Sequence, residues 1–271
     1  MMVSTSDQLV LQPDVFRQFS RLLYNIAGIN MTEAKIPLVS GRLYKRLKQL
    51  QLKSYADYLT LVQADKAELQ TAVDLLTTNE THFFREQRHF DFLRDTIIPL
   101  YKEQRNFRCW SAASSTGQEA YSIAMVLQTQ LAATDWQVFG SDISSKVVKL
   151  AGNGIYPSEL AAEIPPPYLK AYCLKGTGSQ SDKFKIAPEL AAKVQFSQVN
   201  LNDSLPDTGL FDVIFLRNVL IYFQPETKRA VVQRLLQKLK PRGFFIVGHS
   251  ETLYGMFADL QVVSPSVYRK L

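Results

Sequence analysis

The sequence predicts an α/β fold: a parallel sheet covered by helices on both faces, preceded by a small all-α domain and carrying a small antiparallel insertion. Three observations lead there. Residues 12–77 place apolar side chains at helical period and contain little that favours strands. From residue 106 onward, short apolar and aromatic runs alternate with helical stretches, the pattern of a parallel sheet with crossover helices. A single proline-rich segment breaks that alternation. With 271 residues, 46% of them hydrophobic, the chain can bury one large core and a smaller one.

The elements follow in order. Residues 1–78 form the helical domain, of which roughly the first ten look loose. Its apolar period is clearest in DVFRQFSRLLYNIAG and SYADYLTLV. Within SGRLYKRLKQLQLK, Leu43, Leu47 and Leu50 fall at i, i+4 and i+7 on one stripe, leaving Arg42, Lys45, Arg46 and Lys48 around the rest of the helix. That basic surface is either an ordinary solvated face or a docking face for an acidic partner. Residues 79–105 read as a linker and leading helix. In residues 106–271, the runs FRCWSAAS, WQVFGSDI, KVQFSQVNL, FDVIFL and GFFIVGHS are the strands, and AYSIAMVLQTQLA and ETKRAVVQRLLQKL are two of the covering helices. Residues 157–193 carry prolines, a GTG turn and the short FKI run, and are expected to fold as a short helix and a small antiparallel ribbon. A loop of that length without structure of its own is unusual in a compact domain. Residues 257–271 can add edge strands.

Lys and Arg outnumber Asp and Glu by 31 to 25, which favours an acidic partner and leaves nucleic acid, anionic lipid and an acidic protein surface open. The start, MMVSTSDQLV, has neither the basic residues nor the apolar run of a secretory leader, and no apolar run reaches the roughly 18 residues that span a bilayer. A cytoplasmic protein without direct membrane insertion is expected. Cys109 and Cys173 stand alone, so neither a disulfide nor a structural metal site is expected, and both are read as packing residues.

In an open parallel sheet, ligands bind in the crevice at the carboxyl ends of the strands. Applied to each strand, that rule gathers Ser111 to Glu119, Asp142, Asn200, Arg217 with Asn218, and His249 to Glu251 on one rim. Arg217 and Asn218 interrupt an otherwise apolar run, FDVIFLRNVLIYF, where a buried unpaired guanidinium would cost several kcal/mol. They are therefore expected to face the crevice. Asp142 lies at the distance beyond the first turn where a carboxylate meets ribose hydroxyls, although an Asp after a strand is also a common helix cap. The turn SAASSTGQEAYS has one glycine and is not the G-x-G-x-x-G of pyrophosphate binders, nor is there a phosphate-cradling G-x-x-x-x-G-K-[ST]. A nucleoside ligand without a pyrophosphate leaves S-adenosylmethionine as the simplest candidate.

Four motifs, TTNETHFFRE, WSAASSTGQEAYSIAM, GSDIS and FLRNVLIYF followed by LKPRGFFIVGHSE, closely resemble those of the CheR family, the chemotaxis receptor glutamate methyltransferases. The likeness runs from about residue 12 to the end. It implies a Rossmann-like methyltransferase domain with an inserted β-subdomain, behind a helical amino-terminal domain. It also implies methyl transfer from S-adenosylmethionine, leaving S-adenosylhomocysteine, to receptor glutamates in sensory adaptation, with no metal and no nucleic acid. The family's cofactor contacts match Asn79, Thr81, Arg85, Glu119, Asp142, Asn200, Leu201, Arg217 and Asn218. The helix bearing Arg42, Lys45, Arg46 and Lys48 resembles the family's receptor-docking face. The loop LKGTGSQ is similar to the version of the β-subdomain that grips a peptide at the receptor's carboxyl end. One departure is GQEAYS where the family has GEEPYS, which alters charge and stiffness at Gln118 and Ala120.

Glutamate has a reference pKa near 4.3, so an acceptor carboxylate is already ionised at neutral pH and needs no general base. His82, His89 and His249 form no recognisable triad and are read as structural or supporting residues. The enzyme must align the reacting atoms and strip water from the carboxylate, and such positioning supplies up to roughly 7–11 kcal/mol in well-oriented systems. Arg85 and Tyr222 are the candidates for replacing that water, Tyr222 also fitting an ordinary core position. Phe83 and Phe84 are expected to pack the linker rather than stack on adenine. Two other readings stand: a methyltransferase with another acceptor, and a non-catalytic module that senses the cofactor or anchors a receptor.

Overall fold

Apolar residues at every third or fourth position become four short helices: α1 (Pro13–Ala27), α2 (Ile36–Gln49), α3 (Tyr55–Ala64) and α4 (Lys66–Leu76). A computed structural model gives this architecture and describes residues 9–101, 106–131 and 135–271. The start signals are local. Pro13 opens α1, and Ser54 and Asp65 accept backbone N–H groups at the heads of α3 and α4, caps that each contribute about 1 kcal/mol. Phe16, Phe19, Leu23, Leu43, Leu47 and Tyr58 fill the space between the helices.

Two compact units emerge, one through Thr78 together with Tyr222–Gln224, the other made of Asn79–Ile221 and Pro225–Leu271. Tyr222 thus belongs with the helices although its sequence neighbours do not. Its carbonyl accepts the Asn30 N–H at 3.0 Å, and Phe223 bridges Ile29.

Inside the helical unit, two of the four basic residues expected on a free surface are committed to internal bonds. Arg42 donates to the carbonyls of Leu76 at 2.9 Å and Thr77 at 3.1 Å, satisfying the end of α4. Arg46 donates from Nε to Glu68 Oε1 at 2.9 Å and from Nη2 to Oε2 at 2.5 Å, while the Tyr58 hydroxyl donates to the same carboxylate at 2.7 Å. No local spacing indicates this, because Glu68 reaches α2 from another helix. Lys45 and Lys48 are the exposed members of the set.

In the larger unit the leading segment forms α5 (Arg88–Phe92) and runs on through a π-helical turn, Leu93–Ile97, and a 3-10 turn, Ile98–Tyr101. Then come β1 (Phe107–Ser111), α6 (Gln118–Gln130), β2 (Trp136–Asp142) and α7 (Ser145–Asn153). The insertion follows: β3 (Ile155–Pro157), α8 (Pro166–Tyr172), β4 (Cys173–Lys175), β5 (Lys183–Ile186) and α9 (Pro188–Ala191). The chain closes with β6 (Val194–Gln198), β7 (Phe211–Leu216), α10 (Pro225–Gln237), β8 (Leu239–Val247), β9 (Leu260–Ser264) and β10 (Val267–Lys270).

The main sheet has the order β6-β2-β1-β7-β8-β10-β9. Its first five strands are parallel, and β10 alone runs opposite to them, pairing antiparallel with β8 on one side and β9 on the other. Strand β7 is buried at every position, as an apolar run covered on both faces must be. The insertion is a separate antiparallel sheet ordered β3-β5-β4. It begins at Ile155, two residues before the expected boundary, because Gly154 in the left-handed region (φ 59°) ends α7 and releases IYP as a strand. From β1 the chain proceeds outward to β2 and β6, then returns to lay β7 on the other side of β1. Strands β1 and β7 therefore flank the switch point where a crevice opens at their carboxyl ends. Among the described residues, no helix is long and apolar enough to cross a membrane.

Candidate functional site

The turn after β1 starts the site. Gly117 heads α6 with φ 96°, a conformation that costs a glycine nothing, and a Cβ there would stand 2.9 Å from that of Ala151. Ser115 precedes it with φ 48°, strained for a residue with a side chain. The strain is held by two bonds. The Ser115 N–H donates to Asp142 Oδ2 at 2.9 Å, and its hydroxyl donates to the Asn79 carbonyl at 2.7 Å. Asp142 Oδ1 accepts the Ser144 N–H at 3.0 Å, so Asp142 also fastens the head of α7, whose cap is Ser144. A carboxylate oxygen has two lone pairs, so Asp142 is an acceptor of the kind that ribose hydroxyls bond. Gln118, at the departure from the family motif, accepts the Thr116 hydroxyl at 2.7 Å.

Arg217, after β7, does not face an open rim: its side chain is only 1% exposed. The expectation assumed that burial would leave it unpaired, whereas two carboxylates come to it. Nη1 donates to Glu119 Oε2 at 2.7 Å and Nη2 to Glu86 Oε2 at 3.0 Å and to the Arg85 carbonyl. Glu119 is held in turn by the Ser111 hydroxyl at 2.6 Å. Burial pushes the Glu86 carboxyl up, but Arg217, the Asn218 amide and the His249 N–H outweigh it and bring it below the usual carboxylate range. His89 packs against the same group. Burial, aided by the Arg217 charge, lowers its pKa to about 3, so it is neutral at physiological pH.

Asn218 takes φ 56°, a conformation asparagine tolerates better than most. Glu251 fixes it: this buried carboxylate accepts the N–H groups of Asn218 at 2.8 Å, Gly248 at 2.7 Å and Leu220 at 2.7 Å. Gly248 is required there, since a Cβ would meet the Asn218 amide nitrogen at 2.7 Å. After β6, Asn200 bends its loop by accepting the Asn202 N–H at 3.0 Å, and the buried Leu201 has its carbonyl gripped by Arg234 of α10 at 2.8 and 3.1 Å.

The linker completes the arrangement. Phe83 meets Tyr156 edge-on at 5.0 Å and Phe84 stacks on Tyr168 at 5.2 Å, both buried in the core. Phe84 and Glu86 have φ of 52° and 58°, so the chain is strained on either side of Arg85. Arg85 is half-buried and donates to the Glu80 carbonyl at 3.1 Å, and Thr81 is half-buried beside it in sequence. Tyr222 lies in the helical unit. Hydrogen bonds thus connect Asn79 with Asp142, and the Arg85 main chain with Glu119, Arg217 and Asn218.

Among the buried polar atoms that have no partner in the described residues are Ser114 Oγ after β1 and Arg217 Nε after β7. Such atoms are costly unless something else bonds them. With acceptors at Asp142 and Glu119, they suit a ligand carrying both hydroxyls and a charged amino acid group. S-adenosylmethionine fits that donor set.

A sheet with this switch point and acceptor array suits a nucleoside-containing cofactor, and the family models define the class as a methyltransferase. A family model described as the CheR methyltransferase SAM binding domain matches residues 79–268, and one described as the CheR methyltransferase all-alpha domain matches residues 14–77. Chemotaxis protein methyltransferase 2 of Pseudomonas aeruginosa is 39% identical over 256 residues, covering 93% of this chain and 91% of the relative. The chemotaxis protein methyltransferase of Salmonella typhimurium is 37% identical over 272 residues, covering 98% and 93%. That of Borreliella burgdorferi is 34% identical over 270 residues, covering 95% and 94%. The chain belongs to the CheR methyltransferase family.

Glu86 was given no role by sequence reasoning, although it closes the THFFRE motif, and Glu251 was placed on the rim without one. The signal available was a charged residue directly after an aromatic pair and another after GHS. Neither spacing says which distant group the carboxylate meets.

Proposed function

We propose that the chain transfers the methyl group of S-adenosylmethionine to glutamate side chains in the cytoplasmic region of chemotaxis receptors, forming methyl esters. The observation that carries this reading is the buried Glu119–Arg217–Glu86 chain at the sheet's switch point, within a family whose relatives are named chemotaxis protein methyltransferases. When bound, the cofactor supplies an electrophilic methyl group on a sulfonium.

The residues' tasks follow from their chemistry. Asp142 accepts hydrogen bonds from the ribose, and Asn200 and Leu201 hold the base. Glu119 attracts the cofactor's ammonium, while Arg217 holds the Glu119 side chain in position. Asn79, Thr81 and Asn218 line the same pocket. Arg85 takes over from water on a carboxylate, which is expensive to desolvate without a cation. No side chain has to remove a proton, because the acceptor is already an anion at neutral pH.

Receptor recognition is assigned to Lys45 and Lys48, with Arg42 and Arg46 contributing charge from their internal bonds. Among the described residues β4 is an edge strand that pairs with β5, and its outer side can add a receptor carboxyl-terminal peptide as a further strand. The test is incubation with radiolabelled methyl donor and receptor-containing membranes. Base-labile label on the receptor is the expected result, and label that is base-stable, or absent from the receptor, overturns the reading.

A further inference from the structure

His89 is 2% exposed, and neither ring nitrogen has a hydrogen-bond partner among the described residues. A buried imidazole left this way forfeits the water it gave up on folding, so something outside the protein is expected to bond it. What surrounds it is specific. One ligand atom each from Glu86, His89 and His249 lie within 4.8 Å of one another. His89 Nδ1 stands 3.4 Å from Glu86 Oε2, without forming a hydrogen bond. That separation matches the edge of about 3.4 Å between two ligands on a tetrahedral ion with bonds of about 2.1 Å. His249 meets His89 edge-on, with ring centroids 4.7 Å apart.

The charge balance points the same way. Glu86 and Glu119 both bond a single guanidinium, that of Arg217, so these three groups together carry one more negative charge than positive. Arg217 and Asn218 hydrogen-bond the Glu86 carboxylate and orient it, as groups behind metal ligands commonly do. His249 is exposed, which gives an ion its way in from solvent.

We propose that Glu86, His89 and His249 form a binding site for one divalent transition metal ion of the zinc class. Two imidazoles and a carboxylate are a borderline donor set that favours zinc over magnesium or calcium, and a fourth position is left for water. The site ties the linker that carries Arg85 to the turn after β8, independently of which acceptor the enzyme methylates.

The experiment uses the full chain stripped of metal by dialysis against a chelator. Zinc ion is titrated in competition with a chromophoric chelator, and cobalt(II) is followed in parallel by its visible absorption. One ion per chain is expected, with a cobalt band of four- or five-coordinate intensity. His249→Ala changes an exposed side chain and should weaken uptake at least ~10-fold with circular dichroism unchanged. If that variant does not fold, His249→Gln replaces it. His82→Ala, which removes the histidine outside the cluster, should bind as the parent does. Absence of saturable one-ion uptake, uptake that survives loss of the His249 imidazole, or uptake that disappears with His82→Ala overturns the proposal.

Discussion

Two arginines meet buried glutamates in this molecule, and they do so in opposite manners. In the helical unit, Glu68 receives Arg46 through two parallel bonds and Tyr58 through a third, so both of its oxygens are engaged. In the larger unit, Arg217 is shared between Glu119 and Glu86, its Nε is left without a partner among the described residues, and the neighbouring His89 lacks one there on either nitrogen. Backbone strain gathers in the larger unit's site: Phe84, Glu86, Ser115 and Asn218 all take positive φ there, against Gln51 in the helical unit. A closed cluster stabilises a fold. An open, strained one is held in place by the rest of the structure and waits for a ligand.

The contrast can be broken experimentally, and the largest effect is expected at Arg217. Arg217→Ala leaves Glu119 and Glu86 buried without their cation, and should lower unfolding free energy by about 3–5 kcal/mol in urea titrations, with methyl transfer lost. Arg217→Lys keeps the charge but not the fork, and should fold while failing to bind the donor. Next comes Asp142→Ala. One or two bonds to a charged acceptor are worth about 1.5–3 kcal/mol each, so calorimetry should show donor affinity at least ~10-fold weaker. Unchanged affinity would remove Asp142 from ribose binding.

Arg46→Ala should cost less, about 1–3 kcal/mol, because Tyr58 still bonds Glu68, and it should leave donor affinity as it was. That cluster also sets a pH response. The Arg46 guanidinium holds the Glu68 carboxyl below its usual range despite burial, so the stability it contributes is complete above about pH 4.3 and is lost as pH falls through the lower folded value. Acid titration of Arg46→Gln should show its unfolding midpoint moved to higher pH. The smallest effect on stability is expected for Lys45→Ala with Lys48→Ala, within about 0.5 kcal/mol of the parent, while receptor methylation slows at low ionic strength.

How much of this could be read from residues alone divides along physical lines. The strand and helix alternation, the insertion, and the placement of Arg217 and Asn218 at the end of β7 follow from period and polarity, which are local. The partners of Arg217 do not. Glu119 lies 98 residues away and Glu86 lies 131 away, and only the folded sheet and linker bring them together. For that reason the arginine looked too costly to bury. The basic helix misled in a related manner: Arg42 and Arg46 have the composition of a free surface, but the carbonyls at the end of α4 and the Glu68 carboxylate claim them. Tyr222 has an unremarkable context in LIYF, and its membership of the helical unit depends on backbone pairing with residues 29 and 30. Long-range pairing of polar groups is what the sequence withholds.

The measurement that bears most directly on the contrast is titration of S-adenosylhomocysteine into the full chain and two matched variants by calorimetry. The account predicts saturable heat from the parent and from Arg46→Lys, and none from Arg217→Lys, with circular dichroism alike for all three. Equal binding by Arg217→Lys and the parent, or loss of binding in Arg46→Lys alone, would contradict it.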